Sequence, residues 1–68
     1  MAEIQIRFNG EQKPVKSGTI AELLEEFNLA GQKLAVELNR QIVTRTSYAQ
    51  TKISSGDNIE IVHFVGGG

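Results

Sequence analysis

Residues 4–27, IQIRFNGEQKPVKSGTIAELLEEF, contain the strongest signals of secondary structure in the chain. Its first five residues alternate apolar and polar side chains, which predicts a β-strand with one buried face. Asn9 and Gly10 follow, and both tolerate the positive φ angles of a two-residue hairpin turn. The returning segment, residues 12–16, contains the chain's one proline, Pro14, and proline is confined to edge strands. These residues therefore predict an N-terminal hairpin with a weak outer strand.

A short amphipathic helix is predicted to follow the hairpin. Thr19 and Glu22 form the capping-box pattern that begins many helices, with the threonine as N-cap. Apolar residues then recur at the spacing of one helical face: Ile20, Leu23, Leu24 and Phe27. Asn28 or Gly31 ends the helix after two to three turns.

The rest of the chain predicts further strands packed on the same helix. They cover residues 34–38, 41–43 and 58–65, with a turn at Asn39 and Arg40. Tyr48 and Ile53 are expected to anchor the polar segment between the last two strands. The predicted class is α+β, with one mixed sheet of four to five strands and one helix across one face. The predicted core is Ile4, Ile6, Phe8, Ile20, Leu23, Leu24, Phe27, Leu34, Val36, Leu38, Ile53, Ile59 and Ile61.

Composition excludes several classes of protein. The formal net charge is −1, from seven basic and eight acidic residues, which argues against nucleic acid as a partner. The chain has no cysteine, so disulfides and thiolate sites are excluded. No apolar run approaches the roughly 20 residues of a membrane span. No basic-then-apolar segment follows Met1, so we expect no signal peptide and a cytoplasmic location.

Residues that could perform catalysis are few. The single histidine, His63, lies in the last predicted strand without the partners of a catalytic or metal site, so we interpret it as a half-exposed strand residue. Glu22, Glu25 and Glu26 are interpreted as a solvated helix face, because a catalytic carboxylate pair needs a pocket. The chain is therefore predicted not to be an enzyme, and to hold no metal.

The last strand carries a different signal. If Ile59 and Ile61 face the helix, alternation places Val62 and Phe64 on the opposite sheet face. An exposed apolar patch on a small domain often marks a protein contact. We predict that Val62, Phe64 and Val65 bind a partner, the alternative being that a neighbouring side chain or a second copy covers Phe64.

Three glycines end the sequence: Gly66, Gly67 and Gly68. We divide the chain into one domain over residues 1–65 and a flexible glycine tail over residues 66–68. Such a tail can enter a narrow enzyme channel, which would bring the Gly68 carboxylate to a reactive centre. A carboxylate must first be activated, for example as an acyl-adenylate. The alternatives are a disordered terminus or linker glycines without function.

In its order of elements, the chain resembles the ubiquitin-like β-grasp fold, and in detail the thiamine-biosynthesis sulfur carrier proteins. The resemblance covers essentially the whole chain. It rests on Ile4 to Phe8 with Asn9 and Gly10, Gly18 to Ile20, Leu23 and Leu24, Ala35 to Asn39, Ile42, Val43, Arg45, Gly56 and Asp57, Ile59 to Val62, and Val65 to Gly68. Two positions depart from the family pattern, because Thr44 stands where a proline is usual and Tyr48 where tryptophan is common.

The resemblance implies a function that needs no catalysis by the chain itself. An adenylating enzyme related to ubiquitin-activating enzymes would use ATP and magnesium to adenylate Gly68, with Gly66 and Gly67 threading into its active site. Sulfur from cysteine, delivered through a desulfurase, would then give a C-terminal thiocarboxylate. Thiazole synthase would take this sulfur for the thiazole of thiamine. The chain itself is expected to bind no cofactor.

Other functions remain open at this point. The same tail would suit a sulfur carrier for molybdopterin, cysteine or methionine synthesis. It would also suit a ubiquitin-like modifier that is joined to lysines of other proteins. A simple binding module with an irrelevant tail is the fourth possibility.

Overall fold

The computed structural model describes residues 3–64. No helix in this part of the chain has the length and apolarity that crossing a membrane requires. The elements in chain order are β1 (Ile4–Phe8), β2 (Glu11–Val15), α1 (Ile20–Glu26), β3 (Leu34–Leu38), β4 (Gln41–Val43), a 3₁₀ helix (Arg45–Ser47) and β5 (Asn58–His63).

The five strands form one mixed sheet in the order β2-β1-β5-β3-β4. The central pair β1 and β5 is parallel, and the other neighbouring pairs are antiparallel. The predicted α+β class, with five strands and one helix, is confirmed. Strand β2, which contains Pro14, lies at the edge as predicted, where a missing N–H disrupts no central ladder.

A tight turn connects the two strands of each outer hairpin. Asn9 and Gly10 have φ angles of 49° and 85°, and join β1 to β2 as predicted. Asn39 and Arg40 join β3 to β4 with φ angles of 52° and 72°. Positive φ at both central residues matches the right-handed twist of the flanking strands.

The start of α1 matches the predicted capping box with one difference. The backbone N–H of Glu22 donates to Thr19 Oγ1 at 3.2 Å. The carboxylate of Glu22, however, accepts from the backbone N–H of Gly18 at 2.7 Å, one residue before the N-cap. The reciprocal bond therefore stabilises the loop that enters the helix.

The end of α1 is set by Asn28, one of the two residues predicted to end it. Asn28 adopts a φ of 59°, and its N–H donates to Glu25 O at 3.1 Å. The N–H of Leu29 donates to Leu24 O at 2.6 Å. These two bonds satisfy carbonyl groups of the last helical turn in a Schellman arrangement, in which asparagine replaces the usual glycine.

One core fills the space between α1 and the sheet. Four predicted core residues, Ile4, Phe8, Phe27 and Leu38, are only partly buried and pack at its margin. The rings of Phe8 and Phe27 lie 4.7 Å apart between centroids. Val15 is fully buried, although it is not among the core residues predicted from the sequence. The fully enclosed or nearly enclosed residues are Ile6, Val15, Ile20, Leu23, Leu24, Leu34, Val36, Ile53, Ile59 and Ile61.

Candidate functional site

Strand β5 has one buried and one exposed face. Ile59 and Ile61 belong to the core under α1, whereas Glu60 and Val62 are exposed on the other side of the sheet. This alternation confirms the predicted orientation of the strand. The side chains of Val62 and Phe64 are 55% and 59% exposed. The exposure predicted for these two residues is confirmed, and their role in partner binding stays a prediction.

The end of β5 is hydrogen-bonded to the segment that precedes β3. The backbone N–H of Phe64 donates to Lys33 O at 3.1 Å. His63 is exposed, and its Nε2 lies 3.0 Å from Gln32 Oε1. Phe64 thus continues the backbone pairing of the sheet by one residue past β5. The predicted sites at Val65, Gly66, Gly67 and Gly68 lie outside the described residues.

A further exposed apolar residue, Ile42, was missed by the sequence analysis. It lies directly opposite Glu37 in the β3–β4 ladder and is 70% exposed. The exposure of Ile42 can be predicted from the sequence, because the two-residue turn at Asn39 and Arg40 sets this register. Glu37 falls between the buried positions of β3, so its cross-strand partner had to lie on the exposed face.

Side chains from three neighbouring strands share this surface, which the helix leaves uncovered. Ala35 is the register partner of Val62, and Glu37 is the register partner of Glu60. We call this surface the open face and define it by Ala35, Glu37, Ile42, Glu60, Val62 and Phe64. It combines three large exposed apolar side chains with two carboxylates, and it includes Phe64, the last described residue in the chain.

A separate groove of about 290 Å³ lies on the helix side of the domain. Leu24, Leu29, Leu34 and Tyr48 contribute its apolar lining, and Arg45 is its one basic lining residue. None of its lining residues is a serine, threonine, histidine or aspartate, so it contains no hydroxyl–imidazole pair for nucleophilic catalysis. Within residues 3–64, no three histidine or acidic residues are grouped closely enough to hold a metal ion.

Known proteins match this chain along almost its whole length. It is 38% identical over 65 residues to the "Sulfur carrier protein ThiS" of Bacillus subtilis, covering 93% of this chain and 98% of that protein. It is 41% identical over 66 residues to a "Thiazole synthase" of Paramagnetospirillum magneticum, but those residues are 96% of this chain and 20% of that protein. The chain thus spans about a fifth of the length of that relative.

A solved structure and a family model agree with these relatives. The crystal structure of a thiamine biosynthesis protein (ThiS) from Geobacter metallireducens superposes with a TM-score of 0.82. That protein is 29% identical, and the match covers 96% of this chain and 100% of its own. The ubiquitin-like β-grasp fold implied by the resemblance is therefore confirmed. The ThiS family model matches residues 6–68, and the chain belongs to the ThiS family.

Proposed function

We propose that this chain is the sulfur carrier for the synthesis of the thiamine thiazole, and that Gly68 carries the sulfur. The observation that carries the proposal is the match to the Bacillus subtilis sulfur carrier protein, which extends over 98% of that protein's length. The thiazole synthase relative supports the pathway, because a segment similar to this chain lies within a protein of that name.

The proposed chemistry takes place at the carboxylate of Gly68. A carboxylate oxygen attacks the α-phosphorus of ATP, and pyrophosphate leaves to give an acyl-adenylate. Sulfide attacks the carbonyl carbon, the carbon–oxygen bond to AMP breaks, and a thiocarboxylate remains. An adenylating enzyme with magnesium performs the first step. In the cell, a desulfurase takes the sulfur from cysteine as a persulfide, a thiol reductant releases it at the oxidation level of sulfide, and thiazole synthase receives it from the thiocarboxylate.

The chain's own contribution in this proposal is structural. A carrier needs a stable body, a surface that both enzymes can bind, and an accessible terminal carboxylate. The small core under α1 and the exposed apolar residues of the open face supply the first two requirements. We propose that the chain is not itself an enzyme, binds no cofactor of its own and works in the cytoplasm.

The direct test is a conversion assay. The 68-residue chain is incubated with the adenylating enzyme of the same organism, ATP, magnesium and sulfide. Intact-mass spectrometry should then detect the replacement of one oxygen by sulfur. A variant without Gly67 and Gly68 should stay unconverted and keep the wild-type circular dichroism spectrum. An unchanged mass for the full chain, where a known carrier is converted, would refute the proposal.

Complementation separates thiamine synthesis from the related pathways. Expression of the chain should restore growth of a thiamine-requiring strain that lacks its own carrier, and should not rescue a strain deficient in molybdenum cofactor. Conjugates that survive boiling and reductant would instead indicate a ubiquitin-like modifier. Rescue by the variant without Gly66, Gly67 and Gly68 would indicate a binding module whose tail has no role.

A further inference from the structure

Two glutamates are opposite each other on neighbouring strands at the centre of the open face. Glu37 and Glu60 are direct register partners in the antiparallel pair of β3 and β5. Side chains at such positions have Cβ atoms about 4.5–5.5 Å apart, and like charges placed there destabilise a sheet. The placement is therefore unfavourable for the isolated domain.

The described part of the chain does not neutralise this pair. The one ion pair among residues 3–64 joins Lys13 Nζ and Glu11 Oε1 at 3.6 Å. Two cations are near by register. Arg7 pairs with Asn58, two residues before Glu60 on β5. Arg40 lies two residues before Ile42, the partner of Glu37. Neither forms an ion pair with these glutamates within the described residues.

Apolar side chains flank the carboxylate pair on two sides. Ile42 lies beside Glu37 on β4, and Val62 follows Glu60 on the same face of β5. Both aliphatic side chains are more than half exposed, and so is the ring of Phe64. Exposed apolar area and adjacent like charges both raise the free energy of the domain while this face is uncovered. A partner surface that combines apolar side chains with a positive charge lowers both contributions.

We infer that the open face binds a partner protein surface that places an arginine or lysine against Glu37 and Glu60, between apolar side chains that cover Ile42, Val62 and Phe64. A guanidinium suits this site best, because its donors form a planar fork that can bond to more than one carboxylate oxygen. The inference deepens the proposed function and rests on it, since it identifies this surface with the enzyme that adenylates Gly68.

The position of the face suits an enzyme that acts on Gly68, and the adenylating enzyme is the first to do so in the proposed sequence of steps. Strand β5 carries Glu60 and Val62, and Phe64 is four residues before Gly68. A partner that covers this end of the strand is adjacent to the residues that lead to the reactive carboxylate. Docking through the face and reaction at Gly68 can then occur in the same complex.

The test compares two double variants that each remove two negative charges. Glu37→Gln with Glu60→Gln removes the central pair and preserves side-chain size. Glu3→Gln with Glu25→Gln changes two exposed glutamates outside the open face, and is the matched control. Isothermal titration calorimetry with the adenylating enzyme gives the Kd at low and high salt.

The open-face variant should bind about tenfold or more weakly at low salt, and its Kd should change less with salt than that of the wild type. Its Tm should equal or exceed that of the wild type, because a repulsive cross-strand pair has been removed. The control variant should bind like the wild type. Equal Kd values for the two double variants would overturn the inference. Failure of the proposed function is distinguishable, because wild-type Gly68 would then not be converted at all.

Discussion

The side-chain oxygen Oδ1 of Asn9 accepts a hydrogen bond from the backbone N–H of Ile61 at 2.7 Å, although 52 positions separate the two residues. The backbone N–H of Asn9 also donates to Ile59 O at 2.9 Å. Asn9 thus continues the parallel pairing of β1 with β5 beyond Phe8, the last register partner on β1. One turn residue joins the N-terminal hairpin to the strand that carries Glu60 and Val62 of the open face.

Replacement of Asn9 should therefore destabilise more than the hairpin turn. Asn9→Ala leaves the partly buried N–H of Ile61 without its acceptor and places alanine at a φ of 49°, so we expect a loss of about 1–3 kcal/mol in the free energy of unfolding. Asn9→Asp keeps an acceptor oxygen and tolerates positive φ, and should stay close to wild type. Urea unfolding measures both. Equal losses in the two variants would show that the acceptor is not the cause.

The same bond shows what could be predicted from the sequence. Asn9 and Gly10 predict the turn, because their conformational preferences are local. The bond from Ile61 depends on β1 and β5 being neighbours, and periodicity within each strand carries no information about that pairing. The predicted helix and strands agree with the structure except at some strand ends, and the predicted caps agree except that Glu22 accepts from Gly18 instead of Thr19. Each of these predictions rests on signals only a few residues apart.

Burial in the core is predicted less well from local signals, as Val15 and Phe8 show. Val15 ends a polar segment with a proline, so its local pattern does not indicate burial. Its pairing with Ile4 places it on the sheet face that carries Ile6, where it is fully buried. Phe8 has a strong apolar pattern, but it lies at the margin of the core. In the candidate site, the exposure of Val62 and Phe64 follows from alternation, whereas the neighbouring carboxylates require the register of β3 with β5.

Glu26 should stabilise the loop between β2 and α1. Its carboxylate accepts from the hydroxyl of Ser17, and lies 3.3 Å from the backbone nitrogen of Lys16, which donates to it. Ser17 is the one buried polar residue of the described chain. Glu26→Ala should lower the free energy of unfolding by about 1–2 kcal/mol, because these donors lose a charged acceptor.

Glu25→Ala is the matched control for this prediction. Glu25 is the neighbouring exposed glutamate on α1, and its carboxylate has no hydrogen-bond partner within residues 3–64, so its removal should change stability little. Ser17→Ala combined with Glu26→Ala completes a double-mutant cycle. Strict additivity of the two changes would contradict a direct bond between the side chains.

Arg40 is a site at which a substitution should stabilise the protein. It adopts a φ of 72° in the β3–β4 turn, where side chains with a Cβ are strained. Arg40→Gly should therefore raise the free energy of unfolding by about 0.5–1 kcal/mol, after the entropy that glycine adds to the unfolded chain. Arg40→Ala removes the same charge without relieving the backbone, and should give no such gain. Thermal unfolding measures both variants. An equal gain in Tm for Arg40→Ala would show that backbone strain at residue 40 is not the cause.

Phe64 should contribute to partner binding and hardly to folding. Its ring is 59% exposed and lies outside the core cluster, so Phe64→Asp should weaken binding to the adenylating enzyme and leave Tm close to wild type. Phe64→Ser tests whether the effect comes from lost apolar contact, because aspartate also adds a negative charge to the open face. Phe8→Ala is the opposite case: the ring of Phe8 packs on Phe27, so this variant should lower Tm and keep the wild-type Kd. A large fall in Tm for both Phe64 variants would instead assign that ring to the core.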